Sequence, residues 1–310
     1  MHDQQPVRVL VYGGTGSQAR PLVEELLRRG HHPVVLTRNA TKAAPLAALG
    51  ATIAEHAPTD HTNLITLSAT VDVVALMIPF GLANPADVLA YGKNAIDAAQ
   101  AAGVQLIVWN TSGPFQPEAV TPATTDPRQH IAAHLQASGI PHIIFAPTIY
   151  AENLLGPWTA PAVATTDEVP YATPPAMRVG WLASADLAAL MVAAIERPEL
   201  AGQIFMVSGI EALSGPELAA AFSEALGRPF TYRGIPPDAF GAILDQTFGP
   251  GAGAGATAIY GPLWALETPP TLAFDMQPVL AALPVRMRTM REWVREHAAA
   301  FQPPTAPSTT

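Results

Sequence analysis

Short apolar runs alternate with longer amphipathic stretches along the first half of the chain. Val7, Val9, Leu10 and Val11 make the first run, Gly13, Gly14 and Gly16 close it, a helical stretch follows, and Val34, Val35 and Leu36 make the second. The same pattern predicts a weak strand at 51–55, a short helix near 63–69, a strong strand at 71–78 and a helix at 85–102. It continues with a strand at 104–110, a helix at 125–138 and a strand at 142–146. Strands that are apolar throughout and alternate with helices predict a parallel sheet covered on both faces. Gly50, Gly103 and Gly139 each follow a helical stretch and precede a strand, where a C-cap glycine belongs. The fold class is therefore α/β, a doubly wound parallel sheet.

Beyond residue 150 the texture changes. Pro157, Pro161, Pro170, Pro174 and Pro175 break the chain into loops and short elements. A helix returns at 183–196, a strand at 203–208, a helix at 215–226 and an amphipathic helix at 286–300. This reads as a first domain at 1–150 and a smaller mixed domain at 151–302 with some elements packing back on the sheet. The tail at 303–310 reads as disordered, and the low-complexity segment Gly249–Ala256 as a flexible loop.

Composition narrows the function classes. Of 310 residues 49% are hydrophobic and 13% charged, which suits a compact enzyme-like body. A net charge of −9, with only 16 Lys and Arg, argues against a nucleic-acid partner. With no cysteine, thiolate catalysis, disulfides and Cys-ligated metals are excluded. The longest apolar stretch, 71–82, is broken by Pro79 and Gly81 and is too short to span a bilayer, and the N-terminal residues lack a basic region. No membrane partner and a cytoplasmic location are the expectation. Asp126, His130 and His134 recur every four residues, but the HExxH pattern is missing; they read as a solvated helix face, and no metal is expected. His31 and His32 read as surface residues, and Asp186 as a charge complementing a helix N-terminus.

The chemistry concentrates in the first unit of strand, glycine turn, helix and strand. Both Gly14-x-Gly16-x-x-Ala19 and Gly13-x-x-Gly16-x-x-Ala19 fit a phosphate-binding turn. Gly13 or Gly14 would take a positive φ, and Gly16 would leave room for a pyrophosphate against backbone N–H groups. A dinucleotide is the expected ligand. After the second strand stand Thr37, Arg38 and Asn39, with Lys42 behind and no carboxylate. A guanidinium there can hold a 2′-phosphate, so NADP(H) is preferred over NAD(H). The ligand crevice of such a sheet lies beyond the strand carboxyl ends, here at 13–15, 38, 78–80, 110–112 and 147–150.

Four segments carry a family resemblance: GGTGSQA with LTRN, NAIDAAQAAGVQLIVWNTS, LQASGIPHIIFAPTIYAENLL, and GQIFMVSGIEALSGPELAAAFSEALGRPFTYR. In order and spacing, from about residue 7 to residue 300, the chain resembles the NmrA-like branch of the atypical short-chain dehydrogenases/reductases. The resemblance implies a Rossmann domain binding NADP(H) and a smaller domain closing over the nicotinamide end. It implies nucleotide contacts at Gly13, Thr15, Gly16, Ser17, Gln18 and Arg38, and Gly14 and Asn39 beside them are further candidates for the cofactor site. Further contacts are implied at Ile78, Pro79, Phe80, Asn110, Thr111, Ser112, Pro147, Thr148 and Ile149. The Tyr and Lys of catalytically complete relatives fall on Thr124 and Arg128. A Thr hydroxyl cannot replace a phenol as an acid, although Arg128 could hold a ribose or an amide. Ser112 is a candidate for binding a carbonyl oxygen or for capping a loop. Tyr150 is a candidate displaced acid or a packing residue. Trp158, Tyr171 and Trp181 could line an acceptor pocket or a core. The expectation is an NADPH-dependent oxidoreductase passing hydride to a small apolar or quinone-like acceptor. The alternative is a non-catalytic NADP(H) redox sensor regulating a partner protein.

Overall fold

A computed structural model of the chain describes residues 5–79, 82, 84–118, 120–121 and 123–303. In chain order its elements are β1 (Arg8–Tyr12), α1 (Arg20–Arg28), β2 (His32–Thr37), α2 (Ala40–Ala48), β3 (Thr52–Glu55), α3 (His61–Ser68), β4 (Val73–Met77) and α4 (Pro85–Ala102). They continue with β5 (Leu106–Asn110), α5 (Pro127–Ser138), β6 (His142–Pro147), α6 (Ala160–Thr165), β7 (Glu168–Tyr171), β8 (Val179–Gly180), α7 (Ser184–Ile195) and β9 (Ile204–Val207). The remainder are β10 (Ala212–Leu213), α8 (Gly215–Leu226), β11 (Thr231–Gly234), α9 (Pro237–Phe248), α10 (Ala254–Trp264), α11 (Gln277–Ala282) and α12 (Met290–Glu296).

Seven strands form one parallel sheet in the order β3-β2-β1-β4-β5-β6-β9, the doubly wound α/β arrangement expected from the strand–helix alternation. The order reverses at β1, so the carboxyl ends of β1 and β4 flank the switch point where such sheets hold ligands. The chain divides into two compact units. One runs to Pro147 and also takes in Ser184–Val207 and Gln277–Arg286; the other holds Thr148–Ala183, Ser208–Met276 and the chain from Met287 on.

Register explains the core of the first unit. Tyr12 pairs with Leu36 and Leu76 with Trp109, and Tyr12 follows Val11, which pairs with Ala75. Leu36, Tyr12, Leu76 and Trp109 therefore lie in one row on one face, buried with Ile96 of α4 and Ile131 of α5. Each large side chain enclosed in this way contributes about 1.5–3 kcal/mol. On the opposite face α1 packs with α7, whose length is buried almost throughout. Gly103 and Gly139 are the left-handed C-caps of α4 and α5, and Gly50 has a positive φ just beyond the cap of α2.

Several expectations change. His31 is 4% exposed rather than a surface residue. Its Nδ1 accepts from the Val7 N–H at 3.3 Å, so Nε2 carries the proton and donates to Glu196 Oε1 at 3.2 Å, while Arg29 binds the same carboxylate. The segment Gly249–Ala256 is not a loose loop, because Ala254 already begins α10. A Cβ on Gly253 would stand 2.1 Å from the Gly241 carbonyl oxygen, so these glycines let α9 and α10 approach closely. The last helix is shorter than expected. A reciprocal cap between Thr289 and Glu292 starts it at Met290, and a 3-10 turn, Ala298–Phe301, follows it. Asp126, His130 and His134 form a half-buried rather than a fully solvated face, and each is engaged. Asp126 caps α5, His130 Nε2 lies 3.3 Å from the Thr124 oxygen, and His134 Nε2 meets Asp97 Oδ1 of α4 at 2.5 Å. No three potential metal ligands cluster among the described residues. Asp186 lies in the first turn of α7, as read, but it is buried.

In the second unit Tyr171 and Trp181 are core residues, packed edge to face at 4.9 Å. Asn153 donates to the Tyr171 hydroxyl, which also meets that of Tyr260 at 3.2 Å. Trp158 is half-buried against Phe240. No described helix is long and apolar enough to cross a membrane.

Candidate functional site

The turn after β1 is built by three different uses of glycine. Gly13 holds φ at +69°, the left-handed conformation that glycine adopts without strain. Gly14 has an ordinary φ but no space: a Cβ there would sit 2.8 Å from Val35 Cγ1 and 3.4 Å from Val23 of α1. It is the contact that lets helix and strand close together. Gly16 donates its N–H to the Gly13 carbonyl at 2.8 Å, which curls the chain back on itself. The amides of Gly14, Thr15, Ser17 and Gln18 find no acceptor among the described residues, and Thr15, Gly16 and Ser17 are exposed. Unpartnered N–H groups leading into a helix make a site for an anion. Ala19, at 1% exposure, is packed as the third position of the fingerprint requires.

At the end of β2 the Thr37 hydroxyl accepts from the Asn39 N–H, and Asn39 Oδ1 accepts from the Lys42 N–H to cap α2. The Asn39 carbonyl oxygen of its side chain is thus committed to the helix. Arg38 is exposed and makes no hydrogen bond or ion pair with any described residue. In space, though not along the chain, a carboxylate does lie near this strand end. Glu55 pairs in register with Thr37 and accepts from the Ala40 N–H at 3.1 Å. Strand alternation puts Thr37 and Glu55 on the face opposite Leu36, and Arg38, just past the end of β2, makes no ion pair with Glu55.

The ends of β4 and β5 are mostly self-satisfied. Ile78 is buried and Pro79 exposed, while Phe80 lies outside the described residues. The Asn110 side chain is buried; its Oδ1 accepts from the Ser112 N–H at 2.9 Å and its Nδ2 approaches Met77 Sδ. Thr111 donates to the Gly113 and Phe145 oxygens. Together they hold Ser112 at φ +59°, a strained conformation for a residue with a side chain. The Ser112 hydroxyl has no partner among the described residues, so its capping reading is not the one its side chain follows. Arg128 is already engaged. Its Nε and Nη2 bind both Asp126 oxygens at 2.6–3.1 Å and its guanidinium lies 5.4 Å from the Phe115 ring. Only Nη1 is weakly held, by the Pro114 oxygen at 3.4 Å. Burial works against the Asp126 carboxylate, yet hydrogen bonds from the Arg128 side chain and N–H outweigh it and lower its pKa. Thr124 spends its hydroxyl on the Thr121 N–H.

The last group of candidates falls across the unit boundary. Pro147 ends β6 beside Val207 in the first unit. Thr148 and Ile149 belong to the second, where the Thr148 hydroxyl donates to the Gly180 oxygen and the Ile149 oxygen accepts from the Leu182 N–H. Tyr150 is buried in that unit at 4% exposure.

Two phenols were not singled out from the sequence. Tyr12 ends β1 immediately before the turn; its ring is fully buried, and its hydroxyl is enclosed without a partner. Tyr91 of α4 packs edge-on against it, ring centroids 5.9 Å apart. The available signal was a lone aromatic closing an aliphatic strand at the glycine turn.

This arrangement agrees with what the chain matches. Residues 5–253 fit the NmrA-like family. The chain belongs to that family. The NAD(P)H azoreductase of Xenophilus azovorans is 31% identical over 303 residues, covering 94% of this NmrA-like chain and 99% of that protein. The NADPH-dependent quinone oxidoreductase of Escherichia coli, solved with NADPH, aligns with a TM-score of 0.71 at 22% identity over 94% of this chain and 99% of its own. NmrA, a negative transcriptional regulator solved with NADP, gives 0.71 at 21% identity over 94% and 95%. At those identities the two solved structures share the fold.

Proposed function

We propose that this NmrA-like protein binds NADPH and passes hydride to a small apolar or aromatic acceptor, a quinone-like molecule being the best fit. The observation that carries the reading is the pairing of unpartnered turn amides with an unpaired guanidinium at the next strand end. The amides of Gly14, Thr15, Ser17 and Gln18 would take the pyrophosphate, with Gly13 and Gly16 shaping the turn. Arg38 would take the 2′-phosphate, beside the Asn39 backbone. Ile78 and Pro79, and Asn110, Thr111 and Ser112, would line the two central strand ends, and Pro147, Thr148 and Ile149 the third. Arg128 Nη1, held only weakly by the Pro114 oxygen, is the donor left for a ribose or an amide.

Bound NADPH would supply hydride, and the protein's part is to orient it and exclude water. Thr124 and Arg128 stand where a phenol and a lysine would be, and an arginine does not give up its proton. The reading therefore favours acceptors whose reduced form takes its proton from water. The names of the azoreductase and the quinone oxidoreductase agree with such acceptors. A cytoplasmic protein with a small-molecule partner, rather than nucleic acid or membrane, follows from the same reading.

A second reading has its own support. Arg128 is tied down by Asp126 and no acid stands at position 124, which suits a protein that binds NADP(H) without turnover and signals to a partner. A fluorescence titration with NADPH and NADH, then NADPH consumption against quinones, azo dyes and aldehydes, separates the two. Binding with turnover supports the oxidoreductase, and binding without turnover on the whole panel favours the sensor. Failure to bind either nucleotide would overturn both.

A further inference from the structure

We infer that Tyr91 is a second recognition residue for the nucleotide 2′-phosphate, its phenol donating to the same anion that Arg38 holds. The inference rests on the NADPH reading above and adds a residue to it.

The geometry comes from register and packing. Tyr12 and Leu36 are side by side on adjacent strands. Arg38 follows β2 directly, two residues beyond Leu36 toward the carboxyl end, and its charge acts on the Tyr91 phenol. Tyr91 reaches down from α4 onto the face of Tyr12 and Leu36 and meets the Tyr12 ring at 70°. The helix cannot shift there. A Cβ on the neighbouring Gly92 would come within 2.7 Å of Ile131 Cδ1, so α4 is locked against α5 at that point. Tyr91 is 7% exposed and its hydroxyl has no partner among the described residues. Tyr12 is fully buried, whereas Tyr91 keeps this small exposure.

The electrostatics fit a donor. Burial raises the Tyr91 pKa while the nearby Arg38 charge pulls it down, so the phenol keeps its proton at neutral pH beside a guanidinium. A protonated phenol beside a cation repels nothing and gains from an anion placed between them. A phosphate monoester offers three oxygens; a guanidinium fork takes two, and a phenol O–H can take the third. NADH presents only a neutral hydroxyl at that position. The Glu55 carboxylate, on the opposite face and committed to the Ala40 N–H, does not compete.

The test compares wild type, Tyr91→Phe and Arg38→Ala for binding of NADPH, NADH, adenosine 2′,5′-bisphosphate and 5′-AMP. Tyr91→Phe keeps the ring that packs on Tyr12, so its thermal midpoint should be unchanged. It should weaken NADPH and the bisphosphate roughly tenfold, the low end for a hydrogen bond to a charged group, and leave NADH and 5′-AMP alone. Arg38→Ala should move the same two ligands further in the same direction. An equal loss for all four ligands, or no loss for any, overturns the role of Tyr91 while leaving nucleotide binding standing. A wild-type protein that binds none of them removes the NADPH reading and this inference together.

Discussion

The turn between β1 and α1 places two constraints on neighbouring residues. Gly13 is needed for its φ and Gly14 because a Cβ there would meet Val35 Cγ1 at 2.8 Å, while Tyr12 is needed for neither. Its hydroxyl is enclosed with no hydrogen-bond partner, and burial raises its pKa far above that of a free phenol. An enclosed donor without an acceptor costs about 1–3 kcal/mol relative to the same group in water. Tyr12→Phe keeps the ring that buttresses Tyr91 and removes the stranded oxygen. It should therefore stabilise the first unit by about 1 kcal/mol, visible as a higher denaturant midpoint at unchanged slope. A lower midpoint would mean that the hydroxyl has a partner in solution, an enclosed water being the simplest. The glycine fingerprint was legible from sequence because it is local. The paired phenols were not, because Tyr91 is brought to Tyr12 by the packing of α4 rather than by spacing.

Among the elements, α5 shows best how a functional surface is set by a helix start. Asp126 accepts from the Arg128 N–H and grips the Arg128 fork, so one carboxylate both caps the helix and fixes the guanidinium beside Pro114. Asp126→Ala should cost about 1 kcal/mol at neutral pH, the usual worth of such a cap. The pH dependence has a definite sign. The folded pKa is depressed, so the contribution is fully present above the ordinary carboxylate value of about 3.9 and is lost as pH falls through the lower folded value. The stability difference between wild type and variant should accordingly close below about pH 4. A difference that persists unchanged into stronger acid would show that the ionised carboxylate is not what holds α5. Helices with strong patterning or glycine caps, such as α4, were readable from sequence. The alanine-rich α2, with Pro45 inside it, shows in the sequence only as a helical stretch before Gly50 without bounds, and nothing local marks Gly253 as the point where α10 approaches α9.

At the scale of the whole molecule, the first unit is discontinuous in sequence. Its sheet ends in β9, and α1 is covered by α7, both from beyond residue 183. Periodicity identified these segments as a helix and a strand, but not which sheet they complete, because the pairing of Ile144 with Ile204 is a long-range choice. The energetic consequence is large. Leu187, Leu190, Met191, Val192 and Ile195 of α7 are all buried, at roughly 1.5–3 kcal/mol each, so their loss is comparable to the whole net stability of a typical domain. The Glu196 carboxylate that binds Arg29 and His31 would go with them. A fragment ending at Tyr150, although it holds the turn, Arg38 and Tyr91, should therefore fail to unfold cooperatively and should not bind NADPH. Circular dichroism on heating and the nucleotide titration would decide it. A cooperative transition near that of the full chain would mean that α7 and β9 only decorate a sheet that is stable without them.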